Sequence, residues 1–510
     1  MESGPKKIIV LDTTLRDGEQ TSGVSFSDTE KLHIARLLLD ELRVDRVEIA
    51  SALVSKGEFD GAKLILDWAA EHGLADRIEI LGFVDGTRSL DWIREVGGRV
   101  INLLCKGSYK HCVQQLRKTP EQHLADIREV IGHARRMGVT VNVYLEDWSN
   151  GMRDQPDYIF QVVQALREEG VNRFMLPDTL GILNPDEAHA FCRRMLERFP
   201  DLHFDFHAHN DYDLATANVY SAIKAGIDCI HTTLNGLGER AGNVPLSSVI
   251  GVVKDHLHRE LSINEKKLYS VSKIVESFSG VRIPANKPLI GEFVFTQTSG
   301  IHADGDNKNN LYFNDLIPER FDRKRQYALG KLAGKASIKK NLEELGIELD
   351  AESLKKLTKK INELGDKKEV VTQQDLPYLI ADVLDSEAIQ QRIKIKNYNL
   401  SVAAGLRSVA TLSISIDGDI YEETASGDGQ YDAFMNALWR IYDQLDKQYP
   451  RLIDYEVSIP PGGHTDALCH TIITWEFADK QFKTNGLDSD QAIAAIKATI
   501  KMLNLIEHGR

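Results

Sequence analysis

The chain has 510 residues, of which 42% are hydrophobic and 27% charged, and a formal net charge of −14. That length allows about three domains of ~100–200 residues, and the composition is that of an ordinary globular protein rather than a disordered or fibrous one. The acidic balance is spread along the chain, which speaks against a nucleic-acid surface, and no stretch reaches the ~18 apolar residues of a membrane span.

Five cysteines (Cys105, Cys112, Cys192, Cys229 and Cys469) show no CxxC spacing, so neither a disulfide framework nor a zinc ribbon is indicated. The opening MESGPKK lacks the apolar core of a secretory signal, so a cytoplasmic location is expected.

In chain order, short β-branched runs recur: KIIVLD (7–12), RVEIA (46–50), RIEILGF (77–83), VINLL (100–104), VTVNVYLED (139–147), NRFMLPD (172–178), LHFDFHAH (202–209) and IDCIHTTLN (227–235). Between them lie segments of helical periodicity, such as SDTEKLHIARLLLDELR (27–43) and TPEQHLADIREVIGHARRMG (119–138). Ser27 or Asp28 and Thr119 read as caps, with Glu30 and Gln122 placed for capping boxes. Eight strand–helix pairs over ~250 residues predict an α/β fold, a parallel (β/α)8 TIM barrel. A doubly wound sheet is the alternative, but no GxGxxG follows the first strand.

The strand ends carry polar residues: Asp12 to Asp17, Glu48, Asn102, Glu146, Asp178 with Thr179, His207 with His209, and Asn235. In such a barrel these ends share one face, the face where active sites lie. Past residue 265 the pattern changes. Residues 266–330 form a first subdomain, Gly-, Asn- and Asp-rich and without clear periodicity from 290 on; residues 331–390 read as a charged helical connector, and residues 391–510 as an α+β (βββα)2 domain. The barrel domain is 1–265.

The sharpest local feature is HAHND (207–211). Residues i and i+2 of a strand face the same side, so His207 and His209 can aim two imidazoles at one metal ion. The spacing alone is weak: with 16 histidines a chance pair is unremarkable, and DHLHRE holds a second, His256 and His258. Those two lie on a helical pattern that turns them apart, and they are read as surface. A carboxylate from the first strand's end would complete a two-histidine, one-carboxylate set: Asp17, with Asp12 as a structural alternative. Asn243, in GERAGN, could add a weak fourth contact or an outer hydrogen bond. An open divalent site suits a 2-oxo acid, whose ketone the metal would polarise. Arg16 then sits where an alkoxide develops, and Thr179 is placed either to bind the substrate carboxylate or to cap its loop.

LDTTLRDGEQ, HAHND and GLGERAGN together resemble the signature of the metal-dependent TIM-barrel acyltransferases and lyases that include isopropylmalate, homocitrate and citramalate synthases. TSGIHADG and the C-terminal βββα pair extend the resemblance over essentially the whole chain. It implies a Claisen condensation of acetyl-CoA with a 2-oxo acid, then thioester hydrolysis, in a homodimer. It implies metal binding by Asp17, His207 and His209 and alkoxide stabilisation by Arg16. It assigns deprotonation of the acetyl methyl to Glu146 and His302, with Tyr312 nearby; a thioester α-proton is weakly acidic and needs a placed base. His302 lies beyond the barrel and is expected from the partner subunit.

Leu81, Leu104 and Tyr144, on strands three to five, should shape the 2-oxo-acid pocket. Isopropylmalate synthases typically carry a small serine where Tyr144 stands; here the sequence is similar to the pyruvate-using citramalate synthases of the Leptospira type. Each buried CH2 contributes ~0.8 kcal/mol, so a roomy pocket would favour 2-oxoisovalerate, and choosing pyruvate requires filling the space. All three side chains also read as barrel core, though the Tyr144 hydroxyl needs a partner. The C-terminal unit resembles the family's regulatory domain, which implies an end-product effector: isoleucine for a citramalate synthase, leucine for an isopropylmalate synthase. GDGQYDAF and YEVSIPPGGHTDALC are its expected effector-facing loops, with Tyr431 and Asp432 among them. Competing readings are a lyase running the reverse cleavage, a metal hydrolase, which would carry HxH on its first strand, and a non-enzymatic amino-acid sensor. The metal stays open among Zn, Mn and Mg.

Overall fold

The structure, a computed structural model, describes residues 7–366, 371, 373–377, 379–380, 392–458, 469–478 and 480–508. The chain divides into two compact units, Met1–Phe295 with Phe313–Lys324 and Thr296–Tyr312 with Arg325–Arg510.

In the first unit, β1 (Ile9–Asp12), β2 (Arg46–Ser51), β3 (Ile78–Phe83), β4 (Val100–Lys106), β5 (Thr140–Glu146), β6 (Arg173–Asp178), β7 (His203–Ala208) and β8 (Cys229–Thr232) form a closed barrel in sequence order. Every neighbouring pair is parallel, and β1 closes on β8 with Asp12 opposite Thr232. The helices between them start and stop where their sequences direct. Ser27 with Glu30 and Thr119 with Gln122 make the expected capping boxes, and Gly138 ends its helix at φ 71°. Their apolar faces, with the outward residues of the strands, make the main core.

The strands of this barrel are buried on both faces, so polarity inside them cannot be solvated and must be paired. On β7, Phe206 turns outward against Trp148 (ring centroids 6.4 Å apart), while Asp205 and His207 take the alternate face. The lower lumen is built of ions. Arg173 binds Asp205 through Nε (2.9 and 3.1 Å) and Glu79 through Nη1. All five cysteines are buried and free. Among the described residues no helix is long and apolar enough to cross a membrane.

The second unit contains a short parallel pair, β9 (Thr296–Gln297) and β10 (Gln326–Tyr327). Helices Gly300–Asn307, Lys335–Glu344 and Ala351–Asp366 accompany it. His302 therefore lies on a helix within a stretch read as aperiodic; eight residues are too few to display a period. Two antiparallel sheets follow, β11 (Ile393–Ser401), β12 (Ser408–Ile416) and β13 (Asp419–Gly427), then β14 (Arg451–Ser458), β15 (Cys469–Phe477) and β16 (Lys480–Asp488). Each is followed by a helix, Gln430–Gln444 or Gln491–His508. Leu412, Phe434, Leu438, Trp475 and Leu503 fill the core they share. Residues 459–468, most of the YEVSIPPGGHTDALC loop, lie outside the described residues.

Candidate active site

The turn after β1 separates its two carboxylates by their partners. Asp12 is fully buried; its Oδ1 accepts from the Thr14 amide (2.9 Å) and its Oδ2 from Thr232 Oγ1 (3.4 Å). Burial raises its carboxyl to about 7, and its bonds shape the turn. Asp17, further round, points to β7 instead: its Oδ2 is 3.3 Å from His207 Nε2 and 3.8 Å from His209 Nε2. The two Nε2 atoms are 3.2 Å apart. Two imidazole nitrogens on one ion at ~2.1 Å and an angle of ~90–109° stand about 3.0–3.4 Å apart.

Asp17 Oδ1, His209 Nδ1 and Asn243 Oδ1 are buried without a hydrogen-bond partner. Other buried polar atoms of the described residues also lack a partner; these three stand apart because they belong to the converging Asp17, His207 and His209 group or to Asn243 bridged to it, and two of them are oxygen donors suited to a cation. Burial alone would raise the Asp17 carboxyl, but Arg16 and the two imidazoles hold it well below the usual carboxylate range. Burial lowers both imidazoles, His209 to about 4, so both offer neutral lone pairs at neutral pH. The set fits a divalent metal. Among the described residues, His203, Asp205 and Cys229 also converge, but the Arg173 guanidinium already supplies Asp205 with a cation.

Asn243 is bridged to His209 and donates Nδ2 to the Leu237 carbonyl (3.2 Å). The glycines around it are sterically required: a Cβ on Gly238 would meet Asn243 Nδ2 at 2.3 Å, and one on Gly242 would meet the Gly236 carbonyl at 1.9 Å.

Arg16 is held at three points. Nε donates to Glu48 Oε2 (2.7 Å), Nη1 lies 3.1 Å from Asp17 Oδ2, and Nη2 donates to the Tyr144 hydroxyl (3.4 Å). Glu48 is fully buried and also accepts from Thr13 Oγ1 (2.9 Å) and Asn102 Nδ2 (2.8 Å). The expected polar strand ends thus include a brace behind the arginine. Leu81 and Tyr144 are buried together with Met175, and Leu104 packs against them, in a cluster apart from the main core. Met175 was not anticipated: on β6 it reads as any apolar strand residue. His231 was missed too; its Nδ1 lies 2.8 Å from the Tyr144 hydroxyl.

Glu146, at the end of β5, is ion-paired with Lys106 at the end of β4. Thr179 Oγ1 accepts the Asp147 amide (2.9 Å), a loop-capping bond that leaves its own hydroxyl hydrogen free to donate. His302 and Tyr312 belong to the second unit, where their rings lie 4.2 Å apart and His302 Nδ1 is 3.0 Å from Gln297 Oε1. Tyr431 and Asp432, at the start of the helix Gln430–Gln444, are engaged locally: Tyr431 Oη lies 2.7 Å from Thr499 Oγ1, and Asp432 accepts the Asp428 amide (2.8 Å). His256 and His258 are exposed.

Comparison with known proteins gives the family. Residues 7–275 match the HMGL-like family model, residues 289–369 the homocitrate synthase post-HMGL domain-like model, and residues 370–507 the LeuA allosteric (dimerisation) domain model. A 2-isopropylmalate synthase of Methanocaldococcus jannaschii is 32% identical over 511 residues, covering 98% of this chain and 95% of its own. An (R)-citramalate synthase of the same organism is 31% identical over 500 residues, covering 98% and 99%. Among solved structures, the HMG-CoA lyase of Bacillus subtilis aligns at a TM-score of 0.48 and 23% identity, covering 55% of this chain and 96% of that one. By the family models and by these full-length relatives, the chain belongs to the isopropylmalate, homocitrate and citramalate synthase family.

Proposed function

We propose that the protein condenses acetyl-CoA with pyruvate and water to give (R)-citramalate and CoA. Overall identity does not choose between the two named activities, since relatives of both kinds lie within a percentage point of each other. The observation that carries the reading is the lumen cluster: a tyrosine ring packed with Leu81, Met175 and Leu104, its hydroxyl turned to Arg16. A cleft narrowed in this way suits the methyl of pyruvate and meets the branched chain of 2-oxoisovalerate with side-chain carbon.

In this reading Asp17, His207 and His209 hold a divalent metal, with Asn243 as a further oxygen. When bound, the metal polarises the ketone of the acid. Arg16, fixed by Glu48 and Asp17, presents a rigid guanidinium to the oxygen that becomes an alkoxide, a preorganised charge worth most where water is excluded. Thr179 donates its free hydroxyl hydrogen to the substrate carboxylate. Glu146 and His302 of the partner subunit, with Tyr312, take the methyl proton of acetyl-CoA. Gln297 accepts at His302 Nδ1, which leaves Nε2 as the basic nitrogen.

Residues 1–265 act as the catalytic domain, 266–330 complete the site, and 331–390 connect it to a regulatory domain, 391–510, that takes isoleucine near Tyr431 and Asp432. The runner-up is 2-isopropylmalate synthesis, with leucine as effector, which an equally similar full-length relative of that name keeps open.

Release of free CoA from acetyl-CoA, measured in parallel with pyruvate and 2-oxoisovalerate, tests the reading. Pyruvate should be preferred, and Tyr144→Ser should move the kcat/KM ratio at least tenfold toward the bulkier acid, since two buried carbons are worth ~1.6 kcal/mol. Equal or reversed preference in the parent overturns the assignment.

A further inference from the structure

Behind Tyr144 runs a chain of polar groups that the reading above does not use. Asp205 on β7 and His231 on β8 are 0% and 1% exposed inside the barrel. Asp205 is an ionised carboxylate, since Arg173 donates Nε to both its oxygens (2.9 and 3.1 Å). A carboxylate can only accept. His231 Nε2, 3.0 Å from Asp205 Oδ2, therefore carries a hydrogen. In the neutral ring that leaves Nδ1 as a lone pair, and the Tyr144 hydroxyl, 2.8 Å away, has to donate to it.

With its proton committed there, the Tyr144 oxygen can only accept on its other side. What it faces are donors. Arg16 Nη2 lies 3.4 Å away and His207 Nδ1 3.5 Å away. An imidazole that gives Nε2 to a metal carries its hydrogen on Nδ1 and needs an acceptor for it. Rotated the other way, the same hydroxyl would set a hydrogen against both.

We propose that Asp205 and His231 are positioning residues: through the Tyr144 hydroxyl they fix the tautomer of the ligand His207 and the third anchor of Arg16. The arrangement links residues on β5, β7 and β8 that no sequence spacing connects. Its kinetic consequence rests on the condensation proposed above; its tautomer does not.

The test therefore has three readouts on the full chain. In the 15N spectrum of histidine-labelled protein, His231 should be protonated on Nε2 alone, and Tyr144→Phe should shift its Nδ1 signal. In chelator competition with zinc, His231→Leu and Tyr144→Phe should each weaken metal binding about tenfold, and the double variant should lose no more than either. In CoA release with pyruvate, His231→Leu should lower kcat/KM about 3–10-fold, the worth of one hydrogen bond, and mainly through kcat. His231→Gln keeps a donor for Asp205 and an acceptor for Tyr144, and should recover most of both losses.

A His231 ring protonated on Nδ1, or losses that add in the double variant, overturns the proposal. An enzyme silent with both acids sinks the condensation reading alone, and the spectrum and the zinc competition still decide this one.

Discussion

Arg16 is a fork whose three nitrogens meet three different acceptors, Glu48, Asp17 and Tyr144. A lysine in its place keeps the charge but not the planar geometry. Arg16→Lys should lower kcat at least about 100-fold, the usual worth of one preorganised oxyanion donor, while the metal content of the purified protein stays the same. Loss of metal together with activity would show that the arginine supports the ligands rather than the reaction. The neighbouring imidazoles make a statement about pH. Burial lowers His209 to about 4, below the ordinary imidazole value. A lowered pKa means that protons compete for the ring only in more acid solution. Metal affinity of the folded protein, followed by chelator competition, should thus stay level from about pH 8 to 6 and fall as pH approaches 4. A fall centred near 6.5 would show ligands that are solvated rather than enclosed.

The strands and helices show what a one-dimensional pattern can and cannot convey. His207 and His209 were readable because a strand repeats every two residues, and the strand-end position supplied the depth. The sequence favours Asp17 as the ligand with Asp12 as a structural alternative, but Asp12 ends the strand and Asp17 lies in the turn after it, so spacing alone separates them weakly; the bonds do so plainly, Asp12 to Thr14 and Thr232, Asp17 toward β7. Asp205, His231 and Arg173 were unreadable for the opposite reason. A polar residue alternating along a strand normally signals solvent, and their partners lie 26 and 32 residues away. Met175 gave no signal at all, being apolar in an apolar strand. Caps, in contrast, are local and were read directly. Thr119→Ala removes one half of a capping box; it should cost about 1 kcal/mol in denaturant unfolding and leave kcat and KM unaltered. A kinetic change would mean that the helix Pro120–Met137 reaches the site by a route other than stability.

At the scale of the whole molecule, residues 370–507 match the LeuA allosteric (dimerisation) domain model. Isoleucine added to the full chain should depress CoA release from acetyl-CoA and pyruvate, and Asp432→Asn should blunt that response while sparing the uninhibited rate. Inhibition by leucine in preference would move the assignment to the runner-up. The barrel has its own large-scale consequence, set by which strands meet. β1 pairs with β2 on one side and with β8 on the other, Asp12 facing Thr232. A ribosome makes β1 some two hundred residues before the strand that covers its second edge. Until then the growing polypeptide carries an apolar strand whose second edge of backbone N–H and C=O groups is unpaired. An unfinished barrel of this order offers that edge to wrong partners for as long as its last strand is unmade.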